Sequence, residues 1–346
     1  ARPGERWFHR GPSRQPTRGS YAVSNDLSDV RAPQSPPTDW PSMEPEEELI
    51  DAILDGRCVA FVGAGFSIPA EVPGWTQLLR TFAGAADEET RNEVEYLLEL
   101  KGGESFEMAA QILRNKLDKE FDVVVSRALA VPSNRNIDER LKWLHGIPFK
   151  AILTTNFDNV LQGKPAERDS YHSVLRGSRG GWWDEGHWGE GRKTPIIKLH
   201  GDVNSGGFIF SHMDYRSRLY GSPGYLTFLR SVMSTQTLLF LGFSFNDQYM
   251  NELRSEVLAM IGHERPIAYA VLDGKPDHVI KFFRDYGGLR AFAYDNKAGH
   301  EPFNYFLKRL YEETNPKAYL GKLVDGCQML WMDPNEPNND HAVSFL

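Results

Sequence analysis

The sequence predicts an α/β fold: a doubly wound parallel, Rossmann-like sheet with an inserted all-helical module, an extended N-terminal arm and a short C-terminal tail. Short apolar runs alternate with helical patterns along most of the chain, an order that favours a parallel sheet with helices on both faces. The runs are apolar throughout rather than at every second position, as expected for strands buried on both sides. They span residues 57–62, 149–154, 195–199, 237–243, 266–272 and 289–294.

The composition argues against several classes of protein. Hydrophobic residues make up 40% of the 346 residues and charged residues 25%, values typical of a globular chain. The formal net charge of −8 does not favour a nucleic-acid surface, and no apolar run approaches the roughly 20 residues that span a bilayer. No secretory signal is visible, so we expect a cytoplasmic protein with no membrane or nucleic-acid partner.

Cysteine is sparse, because only Cys58 and Cys327 occur, far apart in the sequence. Such a pair makes neither a disulfide framework nor a zinc ribbon, which needs about four ligands. We therefore expect no metal site, and a reducing compartment is the default for such a chain.

The distribution of residue types divides the chain into regions. Residues 1–42 are rich in Arg, Pro, Ser and Gly and predict an extended basic arm. Residues 43–314 hold the alternating strands and helices and predict one ligand-binding domain, in which residues of about 87–145 form the helical insertion. Residues 315–346 predict a polar C-terminal tail.

The segments between the later runs carry helical repeats and one unusual loop. The repeats are Leu226-Leu229-Val232-Met233 and Met250-Leu253-Val257-Met260. Loop 177–194 contains Trp182, Trp183 and Trp188 among glycines and charged residues. A flexible lid over a ligand and a surface hairpin held by stacked rings both account for this loop.

A glycine motif, Gly63-Ala64-Gly65-Phe66-Ser67, follows the first apolar run and precedes a predicted helix. Glycines let backbone N–H groups approach a phosphate closely, and a helix N-terminus adds a favourable dipole. Ile68 stands where the dinucleotide fingerprint has its third glycine, which weakens the case for a plain dehydrogenase. Taken alone, the motif is equally well explained as a tight turn.

Small or polar residues also follow three further runs, at the point where each run ends. They are Asn156 and Asp158 after the second run, His200 and Gly201 after the third, and Gly242 and Ser244 after the fourth. Ligands bind at the carboxyl ends of strands in an open parallel sheet, so these residues are expected to surround one crevice. Singly, each has a structural explanation, since an Asn at a strand end is often a turn former.

In this order, the motifs resemble the sirtuin superfamily, and more closely its bacterial sirtuin-like branch, whose members hydrolyse NAD in antiphage defence. Pro73-Gly74-Trp75 with Leu78-Leu79, and Asp214-Tyr215, add to the likeness, which covers residues 45–314. The resemblance implies an NAD hydrolase that cleaves the nicotinamide–ribose bond of NAD, its substrate, without a metal. It also implies a homo-oligomer and a defence-system partner such as a helicase-type ATPase.

The resemblance assigns binding roles by motif position. The glycine motif 63–67 would hold the pyrophosphate of NAD, and Gly242 and Ser244 would line the adenosine side. Asp158 would meet the nicotinamide amide.

It also assigns the catalytic roles to Asn156 and His200. Departure of nicotinamide leaves an oxocarbenium-like ribose, so the site must hold the sugar and one water in place. An amide such as that of Asn156 both donates and accepts hydrogen bonds, which suits the alignment of that water. His200 would act as a base or as a partner of a ribose hydroxyl, because imidazole titrates near neutrality.

Other functions remain open at this point. Sirtuin deacylases share these motifs but carry a zinc ribbon, whose cysteines this chain lacks, so an NAD-dependent deacylase or ADP-ribosyl transferase is an alternative. A non-catalytic subunit that senses NAD or ADP-ribose is another. The sequence does not distinguish NAD from NADP, and it does not identify an activating trigger.

Overall fold

The computed structural model describes residues 40–100, 103–130, 137–163, 174–176, 194–204, 206–221, 223–243, 268–295 and 299–318, with residues 245, 255 and 297 singly. The described strands are β1 (Cys58–Val62), β2 (Ala151–Thr154), β3 (Val174–Arg176), β4 (Ile196–Lys198), β5 (Thr237–Leu241), β6 (Ala268–Asp273) and β7 (Leu289–Tyr294). They form a seven-stranded sheet in the order β3-β4-β2-β1-β5-β6-β7. Every neighbouring pair is parallel.

The α-helices of the described residues precede, separate and follow these strands. They are α1 (Glu47–Leu54), α2 (Trp75–Ala85), α3 (Glu88–Glu99), α4 (Gly103–Leu117), α5 (Phe121–Ala128), α6 (Asp138–Gly146), α7 (His212–Gly221), α8 (Pro223–Thr235), α9 (Asp277–Tyr286) and α10 (Glu301–Thr314). Helices α2 to α6 all lie between β1 and β2. The predicted α/β fold with an inserted helical module is therefore confirmed.

The sheet is covered on both faces, as the continuous apolar runs predict. All five residues of β1 are buried. Cys58, Ala60 and Val62 belong to one hydrophobic cluster, and Val59 and Phe61 belong to another on the opposite side. Alternate residues of a strand point to opposite faces, so β1 requires apolar side chains at every position.

The chain changes direction along the sheet at β1. After β1 it builds β2, β3 and β4 on one side, and it then returns to place β5 against the other side of β1. The crevice at such a switch point, beyond the carboxyl ends of the strands, is where open α/β sheets bind ligands. The loops after β1 and β5 meet at this point, since the Gly65 amide donates to the Gly242 carbonyl at 2.9 Å.

Helices α2 and α5 share a core of phenylalanine rings with the segment after β4. Phe210 lies 5.1 Å from Phe82 and 4.9 Å from Phe121, measured between ring centroids. Ring pairs at these distances add to the stabilisation from buried area alone. The helical module is thus packed against the segment that follows β4.

The expectation of a helix directly after the glycine motif is wrong. The chain forms 3₁₀ turns at Ala64–Phe66 and Ile68–Ala70, and the next α-helix begins only at Trp75. Pro69 lies in the second turn, and Glu71 takes a φ of 62°, which ends it. Proline lacks an amide donor and a left-handed residue breaks helical geometry, so a continuous helix cannot form here.

Most strand ends lie within two residues of the predicted runs, and two further differences have a structural reason. β3 was not predicted, because three residues are too few to show a pattern. β5 ends at Leu241 rather than at residue 243, because Gly242 takes a φ of 63°.

Several predictions concern residues outside the described ranges. These are most of the arm 1–42, most of the tail 315–346, loop 177–194 up to residue 193, the helical repeat at 250–260, and Ser244. Among the described residues, no helix combines the length and apolar character needed to cross a membrane.

Candidate active site

A cavity of about 450 Å³ lies at the carboxyl edge of the sheet. Its walls include predicted residues from the ends of β1, β2, β4 and β5, namely Gly63, Ala64, Gly65, Asn156, Asp158, His200 and Gly242. Phe66 and Ser67 do not line the cavity, because their side chains are fully buried behind the glycine motif. Ser244 is outside the described residues.

The glycines allow two loops to pack backbone against backbone. A Cβ on Gly63 would lie 2.6 Å from the Gly242 carbonyl oxygen, and one on Gly65 would lie 2.8 Å from the same atom. A Cβ on Gly242 would lie 2.3 Å from the Phe66 nitrogen, and the φ of Gly242 is 63°. These positions exclude any side chain, so their first role is to join the loops after β1 and β5.

The amides of the glycine motif are largely used inside the protein. Gly63 donates to the Leu241 carbonyl, Gly65 to Gly242, Phe66 to Gly63 and Ser67 to Ala64. A phosphate held by these N–H groups would have to compete with bonds already made. The loop therefore lets a ligand come close to the protein backbone, but most of its amide donors are already used and do not form a ring around a phosphate.

Asn156 is held in place at both its backbone and its side chain. Its backbone amide donates to Thr154 Oγ1 at 3.0 Å, and that hydroxyl donates to the Val62 carbonyl at 2.7 Å. Its side-chain Nδ2 donates to the Gly63 carbonyl at 3.1 Å and to Ser67 Oγ at 3.3 Å. A carbonyl can only accept, so Nδ2 must face Gly63, and Oδ1 is left to accept a hydrogen bond from a ligand.

Ser67 connects Asn156 with Asp158. Its hydroxyl accepts from Asn156 and donates to Asp158 Oδ1 at 3.3 Å, and the Val160 amide donates to the same carboxylate oxygen at 2.9 Å. Burial raises the pKa of Asp158, and the positive charge of Lys198 offsets part of the effect. The sequence assigned Ser67 to ligand binding, whereas the structure places it between these two side chains.

A buried ion pair lies beneath the site. Lys198 Nζ is 3.2 Å from Asp202 Oδ2, and their side chains are 2% and 0% exposed. The same ammonium donates to the backbone carbonyls of Phe157 and Asp158. Lys198 thereby ties the loop after β2 to the loop after β4. A charged residue within an otherwise apolar run was the one sequence signal of this pair.

His200 contacts Tyr215 of α7. The Tyr215 hydroxyl lies 3.3 Å from His200 Nδ1, and the rings meet edge to face with centroids 5.0 Å apart. Which atom donates depends on the tautomer of the imidazole. Both residues line the cavity, and His200 is 4% exposed. The sequence marked Tyr215 only as part of the family resemblance, without a role.

Residues of the helical module complete the wall of the cavity. Trp75, the first residue of α2, packs against Phe210 with ring centroids 5.0 Å apart, and both line the cavity with Phe106 of α4. Arg140 of α6 also lines it. Sequence analysis placed these residues on helices but had no means of bringing them to the sheet edge.

Metal ligands are not grouped in the described parts of the chain. Over those ranges, no set of three or more His, Cys, Asp or Glu side chains is placed to hold a metal ion. The expectation that the reaction needs no metal stays a prediction.

Comparison with known proteins agrees with this architecture. Residues 150–289 match the family model described as a SIR2-like domain. This segment is similar to sirtuin-like domains. The matched segment runs from just before β2 to the first residue of β7, and it carries Asn156, His200 and Gly242. The resemblance drawn from the motifs is thereby confirmed.

The chain is also similar to curated proteins of bacteria. It is 24% identical to NAD(+) hydrolase ThsA of Acinetobacter baumannii over 61% of the chain and 41% of that protein. It is 22% identical to NAD(+) hydrolase ThsA of Enterococcus faecium over 64% and 44%. It is 23% identical to Defense-associated sirtuin 2 of Bacillus subtilis over 60% and 20%. The aligned region is thus less than half the length of each of these relatives.

Proposed function

We propose that the protein is an NAD hydrolase that cleaves the nicotinamide–ribose bond of NAD and yields nicotinamide and ADP-ribose. The observation that carries the proposal is that Asn156 and His200, from the ends of β2 and β4, line one cavity together with the glycine loops of β1 and β5. The names of the bacterial relatives, NAD(+) hydrolase and defense-associated sirtuin, support the same activity.

Asn156 is proposed to align the attacking water. Both of its side-chain N–H groups are directed at Gly63 and Ser67, so its Oδ1 accepts a hydrogen from the water. The water then presents a lone pair to the anomeric carbon of the ribose. Its oxygen bonds to that carbon as the carbon–nitrogen bond breaks, and the bond electrons neutralise the pyridinium nitrogen of nicotinamide. No acid is needed for this leaving group.

His200 is proposed to accept the proton that the attacking water releases. The imidazole accepts it directly or through a ribose hydroxyl and passes it to solvent, so the products are nicotinamide, ADP-ribose and one proton. The contact with Tyr215 at Nδ1 orients the ring of His200 within the site. The apolar wall around Trp75 and Phe210 limits the access of bulk water.

The proposed biological role is that of an antiviral-defence effector that depletes NAD in the cytoplasm. The names of the relatives support this role. The homo-oligomer and a defence partner such as a helicase-type ATPase belong to the same proposal. Mass measurement of the purified protein, alone and with its native partners, tests both the oligomeric state and the partner.

The experiment is to incubate the purified protein with NAD and to quantify nicotinamide and ADP-ribose. We expect both products in equal amounts without any peptide. Asn156→Ala and His200→Ala should each lower the rate by about 100-fold or more, as loss of a positioned water or proton acceptor does. Matched controls are Asn92→Ala and His278→Ala, whose side chains are exposed on α3 and α9 and should leave the rate unchanged.

Other outcomes distinguish the alternatives. Nicotinamide release that requires an acylated peptide would indicate a deacylase, and release coupled to a modified protein would indicate an ADP-ribosyl transferase. Binding of NAD without turnover, in the presence of native partners as well as alone, would indicate a sensing subunit. Full activity in both site variants would contradict the assigned roles.

A further inference from the structure

Arg140 is a buried cation in the wall of the cavity. It lies in α6, its exposure is 7%, and its partners are neutral groups. Nε and Nη2 donate to Asn304 Oδ1 at 3.0 and 2.7 Å, and Nη1 donates to the Phe66 carbonyl at 3.2 Å. The guanidinium carbon also lies 4.8 Å from the Phe303 ring centroid and 5.6 Å from that of Phe66.

The charge of Arg140 has no carboxylate in direct contact over the described residues. Among the described residues its direct partners are the Asn304 amide oxygen and the Phe66 carbonyl, while Tyr294 and Glu301 act on it only through longer-range electrostatics. Burial lowers the pKa of Arg140 to about 10, so the side chain stays protonated at neutral pH. A guanidinium kept charged in such surroundings is stabilised by an anion that enters the cavity.

The guanidinium retains donors that can reach an anion. Arginine has five N–H groups, and the bonds to Asn304 and Phe66 use three, which leaves two. The bond to Phe66 also ties the guanidinium to the glycine motif, whose own amides are mostly engaged with carbonyls. The glycine motif thus lets an anion come close to the backbone, while the positive charge and the unused N–H donors belong to Arg140.

We propose that Arg140 binds the diphosphate bridge of the dinucleotide substrate, so that the inserted helical module supplies the phosphate-binding charge of the site. This inference rests on the proposed function, because it assigns a group of the same substrate to one residue. It gives α6 a direct part in substrate recognition. The planar fork of arginine matches two phosphate oxygens, which a lysine cannot do.

The test compares ligands with and without phosphate by calorimetric titration. ADP-ribose and adenosine are titrated into the wild-type protein and into Arg140→Met, which removes the charge but retains an apolar stem. ADP-ribose affinity is expected to fall by about 10- to 100-fold, the usual loss for a charge-assisted hydrogen-bonded pair, while adenosine affinity stays unchanged. Arg284→Met, at an exposed site, is the matched control and should alter neither affinity.

Equal losses for ADP-ribose and adenosine, or no loss for ADP-ribose, would overturn the inference. If Arg140→Met fails to give a cooperative urea transition, Arg140→Lys decides the question. It keeps the charge without the fork, so ADP-ribose should bind about 10-fold more weakly, and wild-type affinity would overturn the inference. Nicotinamide release is scored separately: wild-type turnover with unchanged binding in both variants leaves the proposed function standing and removes only the role of Arg140.

Discussion

The side-chain amide of Asn156 donates a 3.1 Å hydrogen bond to the carbonyl oxygen of Gly63, 93 residues earlier in the chain. Gly63 in turn packs against Gly242, where a Cβ would lie 2.6 Å from the Gly242 oxygen. The loops after β1, β2 and β5 therefore form one connected unit. A change in any of them should affect both the stability of the sheet edge and the position of Asn156.

Gly242→Ala is expected to destabilise the fold more than Gly56→Ala. The two glycines have φ angles of 63° and 65°, so the backbone strain is matched. A Cβ at Gly242 would lie 2.3 Å from the Phe66 nitrogen, whereas nothing lies within 4 Å of one at Gly56. We expect a loss of about 1–2 kcal/mol at Gly56 and roughly 3 kcal/mol or more at Gly242. Urea titration measures both, and equal losses would refute the packing argument.

Ser67→Ala should weaken both the fold and the catalytic step. The change removes the acceptor for Asn156 and the donor to Asp158, both of which are buried. Unsatisfied buried groups cost about 1–3 kcal/mol, so the free energy of unfolding should fall by that amount and kcat should fall with it. Ser234→Ala, on the exposed end of α8, is the control. An unchanged kcat would mean that Ser67 does not position Asn156.

Tyr215→Phe tests whether the tyrosine hydroxyl positions His200. The variant keeps the edge-to-face ring contact and removes only the hydroxyl 3.3 Å from Nδ1. Loss of one hydrogen bond of about 0.5–1.5 kcal/mol corresponds to a kcat lower by about 2- to 13-fold, with KM for NAD little changed. Tyr220→Phe, at a tyrosine 76% exposed, should show no effect. A rise in KM alone would instead assign Tyr215 to substrate binding.

The buried Asp158 should make stability depend on pH. Burial raises its pKa in the folded state, so its contribution is fully present below the ordinary aspartate pKa of about 3.9. It is lost as the pH rises through the raised value, because the folded protein must then ionise a buried carboxyl. The urea midpoint of Asp158→Asn relative to wild type should thus increase from pH 4 towards pH 8. A midpoint difference independent of pH would contradict this.

Lys198→Met should be strongly destabilising. It leaves the carboxylate of Asp202 buried without its cation, and breaking a buried pair in this way costs about 3–5 kcal/mol. Lys308→Met removes an exposed partner of Glu312 at 3.9 Å, and surface pairs of this kind contribute at most about 1 kcal/mol. Urea titration of both variants gives the comparison. Similar small losses would show that the buried pair is not needed for the fold.

Local sequence patterns predicted six of the seven described strands and most of the residues found at the cavity. Continuous apolar runs predict buried parallel strands because both faces of each strand need apolar side chains. Small or polar residues after these runs must then lie at one edge, since parallel strands end on the same side. Asn156, His200 and Gly242 were found in this way, and each lies at the cavity.

Only the tertiary structure decided which groups meet there. Arg140 reaches the Phe66 carbonyl across 74 residues, and the hydroxyl of Ser67 joins Asn156 to Asp158 across 89 and 91 residues. Contacts at such separation leave no periodicity in the sequence, because they depend on how the helical module packs on the sheet. The packing of the glycine motif on Gly242 is likewise a tertiary feature, whereas the break in the expected helix has a local cause at Pro69 and Glu71.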